Sequence, residues 1–369
     1  MEQYNKFYKE VVALSLFARD VGIDLGTSYI RAVVKNDDKK APVSEPSVAL
    51  INIETGQVDS FGFSAERALG RTPSGKVAIR PIKSGAISDY EATEYMLKEI
   101  VRTATSGIFR PRIAIAVPPS ITDVEERAVV DVGLAAGASK VYLIESALAA
   151  AIGAGIEVSG KEKARNKRRP GRMVVDIGGG TTDVAIITDN EVQLSESIPV
   201  GGALFDEEFV KYIKKEKLLT IGDTLAEAIK KSNGTVSEKG DQFSVEITGR
   251  ELTSARPKTE NVSMRDIIQH VYKPLCERVI DVIRSVNEKT TAALASDIAQ
   301  RGNGIILTGG MAHLHGLDEY ISSKMNLEVT VADNPERCVI NGMKFLLTTL
   351  DNRRDGVRNF TRTRLIRGY

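Results

Sequence analysis

A chain of 369 residues with 42% hydrophobic and 27% charged content is long enough for two domains with proper cores, which excludes disorder as the default state. Its 50 basic and 49 acidic residues cancel to a formal net charge of +1, so no global field points to nucleic acid. Two cysteines, Cys276 and Cys338, and three histidines, His270, His313 and His315, show neither disulfide nor metal-ligand spacing, which fits a reducing cytoplasm. No signal-peptide pattern is present, and nothing approaches the ~20 apolar residues of a membrane span, so the chain is expected to be neither secreted nor transmembrane.

In chain order, Asn5 to Phe17 places Phe7, Val11 and Leu14 on one helical face, an interfacial amphipathic helix or a segment packed on its own core. Val21 to Leu25 reads as a buried strand containing Asp24; Gly26-Thr27-Ser28 turns the chain, and Ile30 to Val34 returns. Ser44-Glu45-Pro46-Ser47 and Gly70-Arg71-Thr72-Pro73 punctuate a small inserted subdomain running to Ile82. A helix follows from Tyr90 to Thr103, then a strand from Arg112 to Val117 that stops at Pro118-Pro119. Asp123 to Ala136 reads as a helix capped by Thr122, with Glu125 in its first turn. Strand Val141 to Ile144 and the alanine-rich helix Ala147 to Ala154 precede a basic stretch, Gly160 to Pro170. A second hairpin then repeats the first: Val174-Val175-Asp176-Ile177, the turn Gly178-Gly179-Gly180-Thr181, and a return from Val184 to Ile187.

Beyond it come Gly201-Gly202, helices over Asp206 to Lys217 and Asp223 to Lys231, and a β-rich stretch from Phe243 to Leu252. A long helix from Met264 to Val286 is expected to kink or break at Pro274. Strand Gly304 to Leu307 feeds a third glycine turn, Thr308-Gly309-Gly310-Met311. Alternating strands and helices on this scale mean an α/β fold, and the paired hairpins suggest internal duplication, with likeness between the halves confined to the turns.

The hairpins carry the chemistry. Glycine turns expose backbone amides that form an anion nest for phosphate, while a neighbouring carboxylate can hold a hydrated magnesium ion. Either aspartate alone would more often cap a turn; as a matched pair, Asp24 and Asp176 are the expected magnesium ligands, through water, and two facing hairpins would grip a triphosphate.

With these elements in this order the chain resembles the actin, sugar-kinase and DnaK-chaperone ATPase superfamily, and within it bacterial actins of the MreB type. The resemblance rests on Ala18 to Thr27, Gly70 to Pro73 with Arg80-Pro81, Asp89-Tyr90-Glu91, Val124 to Ala128, Ala149 to Gly153, the second hairpin, Ile221-Gly222-Asp223, Ala226 to Lys230 and Leu307 to Gly310. It implies an actin-like ATPase fold: two similar α/β domains around a nucleotide cleft, each with a small subdomain. The implied boundaries are an N-terminal extension 1–18, a first domain 19–158 with a subdomain near 44–84, a basic loop 159–172, a second domain 173–350 with a subdomain near 219–263, and a basic tail 351–369.

The resemblance further implies that ATP (or GTP) with magnesium is held by Gly26, Thr27, Ser28 and Tyr29, by Gly178, Gly179, Gly180 and Thr181, and by Gly201 and Gly202. Glu227, Ala228, Ile229 and Lys230 would meet the ribose and base, and Gly309, Gly310, Met311 and Ala312 would close over them. Glu125 would orient the attacking water, with Thr181 beside it and Asp176 on the metal; for Glu125 the plain alternative is a carboxylate favourable to a helix N-terminus. Ser28-Tyr29-Ile30, Ser146-Ala147, Ala203, Ser232 and Met311 depart from the usual MreB pattern at the rim of this site.

The implied function is an ATP-dependent, slowly hydrolysing cytoskeletal protein that forms membrane-associated filaments and organises cell-wall synthesis and rod shape. Its partners would be further copies of itself, the inner face of the cytoplasmic membrane and wall-elongation membrane proteins. Ile108 and Phe109, flanked by Arg102, Arg110 and Arg112, stand where MreB proteins carry a membrane-contact loop; an apolar tip ringed by arginines suits anionic lipid. The tail from Arg353 to Arg367 would bind lipid headgroups, nonspecific nucleic acid or an acidic partner, or else merely solvate the chain end. A cargo-positioning filament using that tail, and a non-polymerising ATPase, are the alternative readings.

Overall fold

The computed structural model describes residues 20–37, 41–70, 73–105, 110–156, 170–188, 191–237, 242–300 and 303–350. The N-terminal extension, the Ile108 and Phe109 pair, residues 159–169 of the basic loop and the tail 351–369 lie outside the described residues. The chain divides into two compact units, one formed by residues up to 67, 73–153 and 339 onward, the other by 68–70 and 154–338.

In the first unit, β1 (Val21–Leu25), β2 (Tyr29–Val34) and β3 (Val43–Pro46) form an antiparallel meander. A smaller sheet of β4 (Ala49–Asn52), β5 (Val58–Phe61) and β6 (Lys76–Ile79) and a short hairpin of β7 (Ile82–Lys83) and β8 (Ala86–Ile87) follow. Then β9 (Arg112–Val117) and β10 (Lys140–Glu145) add in parallel beyond β1, giving the order β10-β9-β1-β2-β3. Parallel addition requires crossovers, supplied by helices Tyr90–Thr105 and Asp123–Ala135. Val21, Ile23, Ile30, Ile113 and Ile115 are wholly buried with Met96, Leu97 and Ile100 of the first of those helices. Because β3 pairs with β2, the inserted subdomain proper begins after it.

The helix Cys338–Thr349 packs with this first unit from Val339 onward, whereas the sequence reading carried the second domain to residue 350. Glycine makes that packing possible. A Cβ on Gly342 would lie 1.8 Å from the carbonyl oxygen of Ala149, and one on Gly22 would lie 3.2 Å from Met343 Cβ. The helix therefore approaches the backbone of Ser146–Gly153 directly and lays the Met343 and Leu347 side chains on strand β1 at Gly22.

The second unit repeats the plan. β11 (Arg172–Ile177), β12 (Thr182–Thr188) and β13 (Glu191–Ile198) form an antiparallel meander. A small sheet takes β14 (Leu219–Thr220) from between the helices Gly202–Lys217 and Asp223–Asn233, and β15 (Ser244–Glu251) and β16 (Pro257–Ser263) from after them. Finally β17 (Ile305–Thr308) and β18 (Val329–Val331) add in parallel, giving β13-β12-β11-β17-β18. The duplication thus extends through whole sheets, not only their turns. Strand β16 was not anticipated, since Pro257 to Asn261 is polar and mostly exposed.

The helix expected over Met264 to Val286 occurs in three parts: Met264–Ile267, a π-helical turn Ile268–Tyr272, and Lys273–Lys289. Pro274 follows directly on the π turn within a continuous helical segment, and the widened register of that turn accommodates its ring and its missing N–H.

Candidate nucleotide site

Both hairpins close in the same way. Leu25 pairs with Ile30 and Ile177 with Thr182, so each turn holds four residues, Gly26 to Tyr29 and Gly178 to Thr181. In the first, the Gly26 N–H donates to the Tyr29 carbonyl at 3.1 Å; in the second, the Gly178 N–H donates to the Thr181 carbonyl at 2.9 Å. The two turns are one device built twice. Except for Thr27, which is buried, their residues are half-buried, so the surfaces that would meet an anion remain accessible.

The supports differ. Behind the first turn, Ser47 donates its hydroxyl to Gly26 O at 2.6 Å and its N–H to Ser28 O at 2.9 Å, and the Gly85 N–H reaches Thr27 Oγ1 at 3.4 Å. Behind the second, helix Gly202–Lys217 presents its N-terminus: the Gly202 and Ala203 N–H groups donate to Gly178 O at 3.0 Å and Gly179 O at 2.8 Å. A Cβ on Gly201 would lie 2.7 Å from Gly179 C and Gly180 N. Gly201 and Gly202 thus bring the backbone against the glycine turn itself.

Asp24 and Asp176 occupy equivalent places, one residue before the end of β1 and of β11. Asp24 faces Arg31 across the hairpin, and Arg31 Nη1 donates to Asp24 Oδ2 at 3.1 Å. Burial raises the Asp24 carboxyl above its ordinary range and Arg31 opposes that shift. Asp176 is buried and accepts from Thr308 Oγ1 at 3.0 Å; opposite it stands Asp183, which accepts a hydrogen bond from the Ser197 hydroxyl. Gly309 follows Thr308 with φ 85°, and a Cβ there would lie 2.3 Å from Ile177 O and 2.7 Å from Asp176 Oδ1. Only glycine fits that position.

Lys230 is turned inward. Its ammonium donates to Gly202 O at 2.5 Å and to Asp206 Oδ2 at 2.6 Å, with side chains 10% and 9% exposed. Burial lowers the Lys230 pKa from its ordinary value, and Asp206 opposes the shift. A Cβ on Gly202 would meet Lys230 Nζ at 3.1 Å and Met311 Sδ at 3.2 Å, so Gly202, Lys230 and Met311 form one contiguous group. Met311 and Ala312 are buried in the 3₁₀ turn Gly310–His313, while Gly310 is exposed. Glu227 pairs with Lys231 at 2.7 Å, Ala228 is exposed and Ile229 joins the core. Nearby, burial and then Asp176 push the Cys338 thiol up to about 12, which keeps it neutral.

Glu125 forms a capping box. Its Oε2 accepts from the Thr122 N–H at 2.8 Å and hydroxyl at 2.7 Å, while its own N–H donates to Thr122 Oγ1 at 3.3 Å. The cap expected at Thr122 is present. Arg31, Ser47, Asp183, Ser197 and Asp206 were missed as site residues; the first three lie on or beside the hairpins, and counting register from a four-residue turn would have set Arg31 opposite Asp24.

Carboxylate oxygens held at the ends of β1 and β11 fit a hard, hydrated cation, and Thr308 fixes Asp176 in orientation. Among the described residues no group of three His, Cys, Asp or Glu side chains forms a metal cage, so magnesium would be shared with phosphate oxygens and water. No helix among the described residues is long and apolar enough to cross a membrane.

A family model described as MreB/Mbl protein matches residues 18–355. The cell shape-determining protein Mbl of Bacillus subtilis (strain 168) is 39% identical over 338 residues, covering 91% of this chain and 98% of that protein. The cell shape-determining protein MreB of Escherichia coli (strain K12) is 36% identical over 343 residues, covering 91% and 95%. The crystal structure of MreB 5 of Spiroplasma citri bound to AMPPNP superposes with TM-score 0.81 at 31% identity, covering 91% of this chain and 97% of that one. The MamK double helical filament, at 17% identity and TM-score 0.72, shares the fold. With an actin-like fold, duplicated glycine turns and a family match over most of its length, the chain belongs to the MreB/Mbl family of bacterial actins.

Proposed function

We propose that this protein is an ATP-dependent actin-like cytoskeletal protein that forms membrane-associated filaments and organises cell-wall synthesis and rod cell shape. The observation that carries the reading is the pair of four-residue turns, each closed by the same N–H to carbonyl bond and each preceded by an aspartate. Solved relatives from Spiroplasma citri bind AMPPNP and ADP, and the curated relatives are named as cell shape-determining proteins.

Backbone amides of the two turns bind phosphate oxygens, and the helix N-terminus behind the second adds a favourable dipole. Asp176, oriented by Thr308, is the carboxylate best prepared for magnesium; Asp24 is first tied to Arg31. Magnesium, when bound, neutralises charge developing on the phosphates. Glu125 orients the attacking water with Thr181 beside it, once its carboxylate leaves Thr122; until then the capping box holds it in reserve. Slow hydrolysis suits a filament switch, in which bound ATP favours subunit addition and the diphosphate state loosens the lattice. Ile108 and Phe109 contact the inner face of the cytoplasmic membrane, weak anchors that become firm when multiplied along a filament.

Sedimentation of the full chain with and without ATP and anionic liposomes tests this. The reading requires ATP-dependent pelleting that draws liposomes with it; monomers under every condition contradict it. A Glu125→Gln variant is expected to pellet with ATP but to release phosphate at least about tenfold more slowly, and normal release removes Glu125 from the chemistry.

A further inference from the structure

A buried hydroxyl in the second unit stands idle in the arrangement seen. Tyr272 ends the π-helical turn Ile268–Tyr272 and is wholly buried, and its hydroxyl finds no hydrogen-bond partner among the described residues. A buried polar group without a partner is a cost that phenylalanine, with the same ring, would avoid.

The hydroxyl belongs to the surroundings of the Lys230 ion pair. The π turn packs on helix Gly202–Lys217, with the Tyr272 and Phe205 ring centres 5.7 Å apart, and Asp206 directly follows Phe205. Burial, and then the Asp206 charge, push the phenol well above its ordinary value, so Tyr272 stays neutral and keeps a proton to donate. Asp206 accepts from the Lys230 ammonium at 2.6 Å, and that ammonium also donates to Gly202 O at 2.5 Å. The Gly202 N–H in turn holds Gly178 O at 3.0 Å, which sets the pair directly behind the second glycine turn. All of these groups lie within the second unit.

Lys230 is the member of the pair that can move. Its ammonium rides on a flexible four-carbon stem, whereas the Asp206 carboxylate sits close to its helix, so a ligand that attracts the cation shifts the lysine. The buried carboxylate then loses that donor, which is costly unless another donor replaces it. We propose that Tyr272 is a positioning residue of the nucleotide site: when a nucleotide on the second glycine turn draws the Lys230 ammonium to itself, the Tyr272 hydroxyl donates to Asp206 in its place. The proposal rests on the nucleotide reading above and deepens it. It accounts for a tyrosine at this position, since the hydroxyl is a cost while Lys230 holds Asp206 and a gain once Lys230 has turned to the ligand.

The test compares the full-length wild type with Tyr272→Phe, which removes a single oxygen atom. Affinity for a fluorescent ATP analogue in magnesium and the thermal unfolding midpoint without nucleotide are both read. Tyr272→Phe is expected to lose at least about fivefold in affinity while its midpoint equals or exceeds that of the wild type. A hydroxyl that merely supported the fold would move the midpoint down instead. Full affinity in Tyr272→Phe, or a midpoint below that of the wild type, overturns the proposal and leaves the nucleotide reading standing. A second pair, Lys230→Met with and without Tyr272→Phe, tests the exchange in the absence of any ligand. With the lysine gone the hydroxyl already serves Asp206, so removing it should now lower the midpoint, and an unchanged or raised midpoint overturns the exchange. If Lys230→Met does not fold, the first pair decides. No binding by the wild type overturns both readings.

Discussion

The two glycine turns share a length, a closing hydrogen bond and a place in a five-stranded sheet, yet they are supported by unlike means. The first leans on Ser47, one hydroxyl and one amide from a neighbouring strand end. The second leans on a helix N-terminus pressed against it at Gly201 and pinned from below by Lys230. Backbone geometry is what the duplicated halves have in common, and side-chain chemistry is where they diverge. Turns of equal length on different supports can respond differently to the same ligand.

The largest expected effect is confined to the second support. Asp206→Ala leaves the Lys230 ammonium buried without its main compensating charge, and should cost about 3 to 5 kcal/mol in urea unfolding near neutral pH. The sign of its pH dependence follows from the direction of the shift. Burial lowers the folded pKa of Lys230 below the unfolded 10.5, so the unfolded chain binds the proton more tightly. The deficit is therefore full at neutral pH and shrinks as pH rises through the folded value towards 10.5. A deficit that is flat or grows with pH would show that Lys230 is not the group left exposed to desolvation.

A smaller effect separates the turns themselves. A Cβ on Gly26 would lie 2.7 Å from Tyr29 O, whereas one on Gly178 meets Thr181 O at 3.6 Å, an ordinary contact. Gly26→Ala should destabilise by about 1 to 2 kcal/mol and Gly178→Ala by less than about 0.5 kcal/mol. Equal losses in chemical denaturation would mean that the turns are more alike than their coordinates indicate.

Much of this could be read from the sequence because it is local. A glycine turn between two apolar runs declares a hairpin, and Thr122 with Glu125 declares a cap, since each pattern is complete within a few residues. The extent of the duplication was hidden because it lies in pairings between distant segments, such as β11 with β17 and β1 with β9. The same distance hid the bond between Lys230 and Asp206, which sit on separate helices. Lys230 was read as a base-facing group by family likeness; its ammonium donates to Asp206 and the Gly202 carbonyl, a pairing the family likeness did not indicate. Polar β16 gave no apolar alternation to find, because its outer positions face solvent. Arg31 is the instructive omission: its register with Asp24 was implicit in the turn length, but a lone arginine in a strand draws no notice until its partner is placed.

The central proposal, that the glycine turn Gly178 to Thr181 serves nucleotide binding, is tested most directly by equilibrium binding of a fluorescent ATP analogue in magnesium to the wild type and to Gly201→Ala, whose added methyl would press on Gly179 and Gly180 at 2.7 Å. The account predicts saturable binding of one nucleotide per chain that Gly201→Ala weakens by more than about tenfold while the variant remains folded. Absence of saturable binding by the wild type, or full affinity in folded Gly201→Ala, would contradict it.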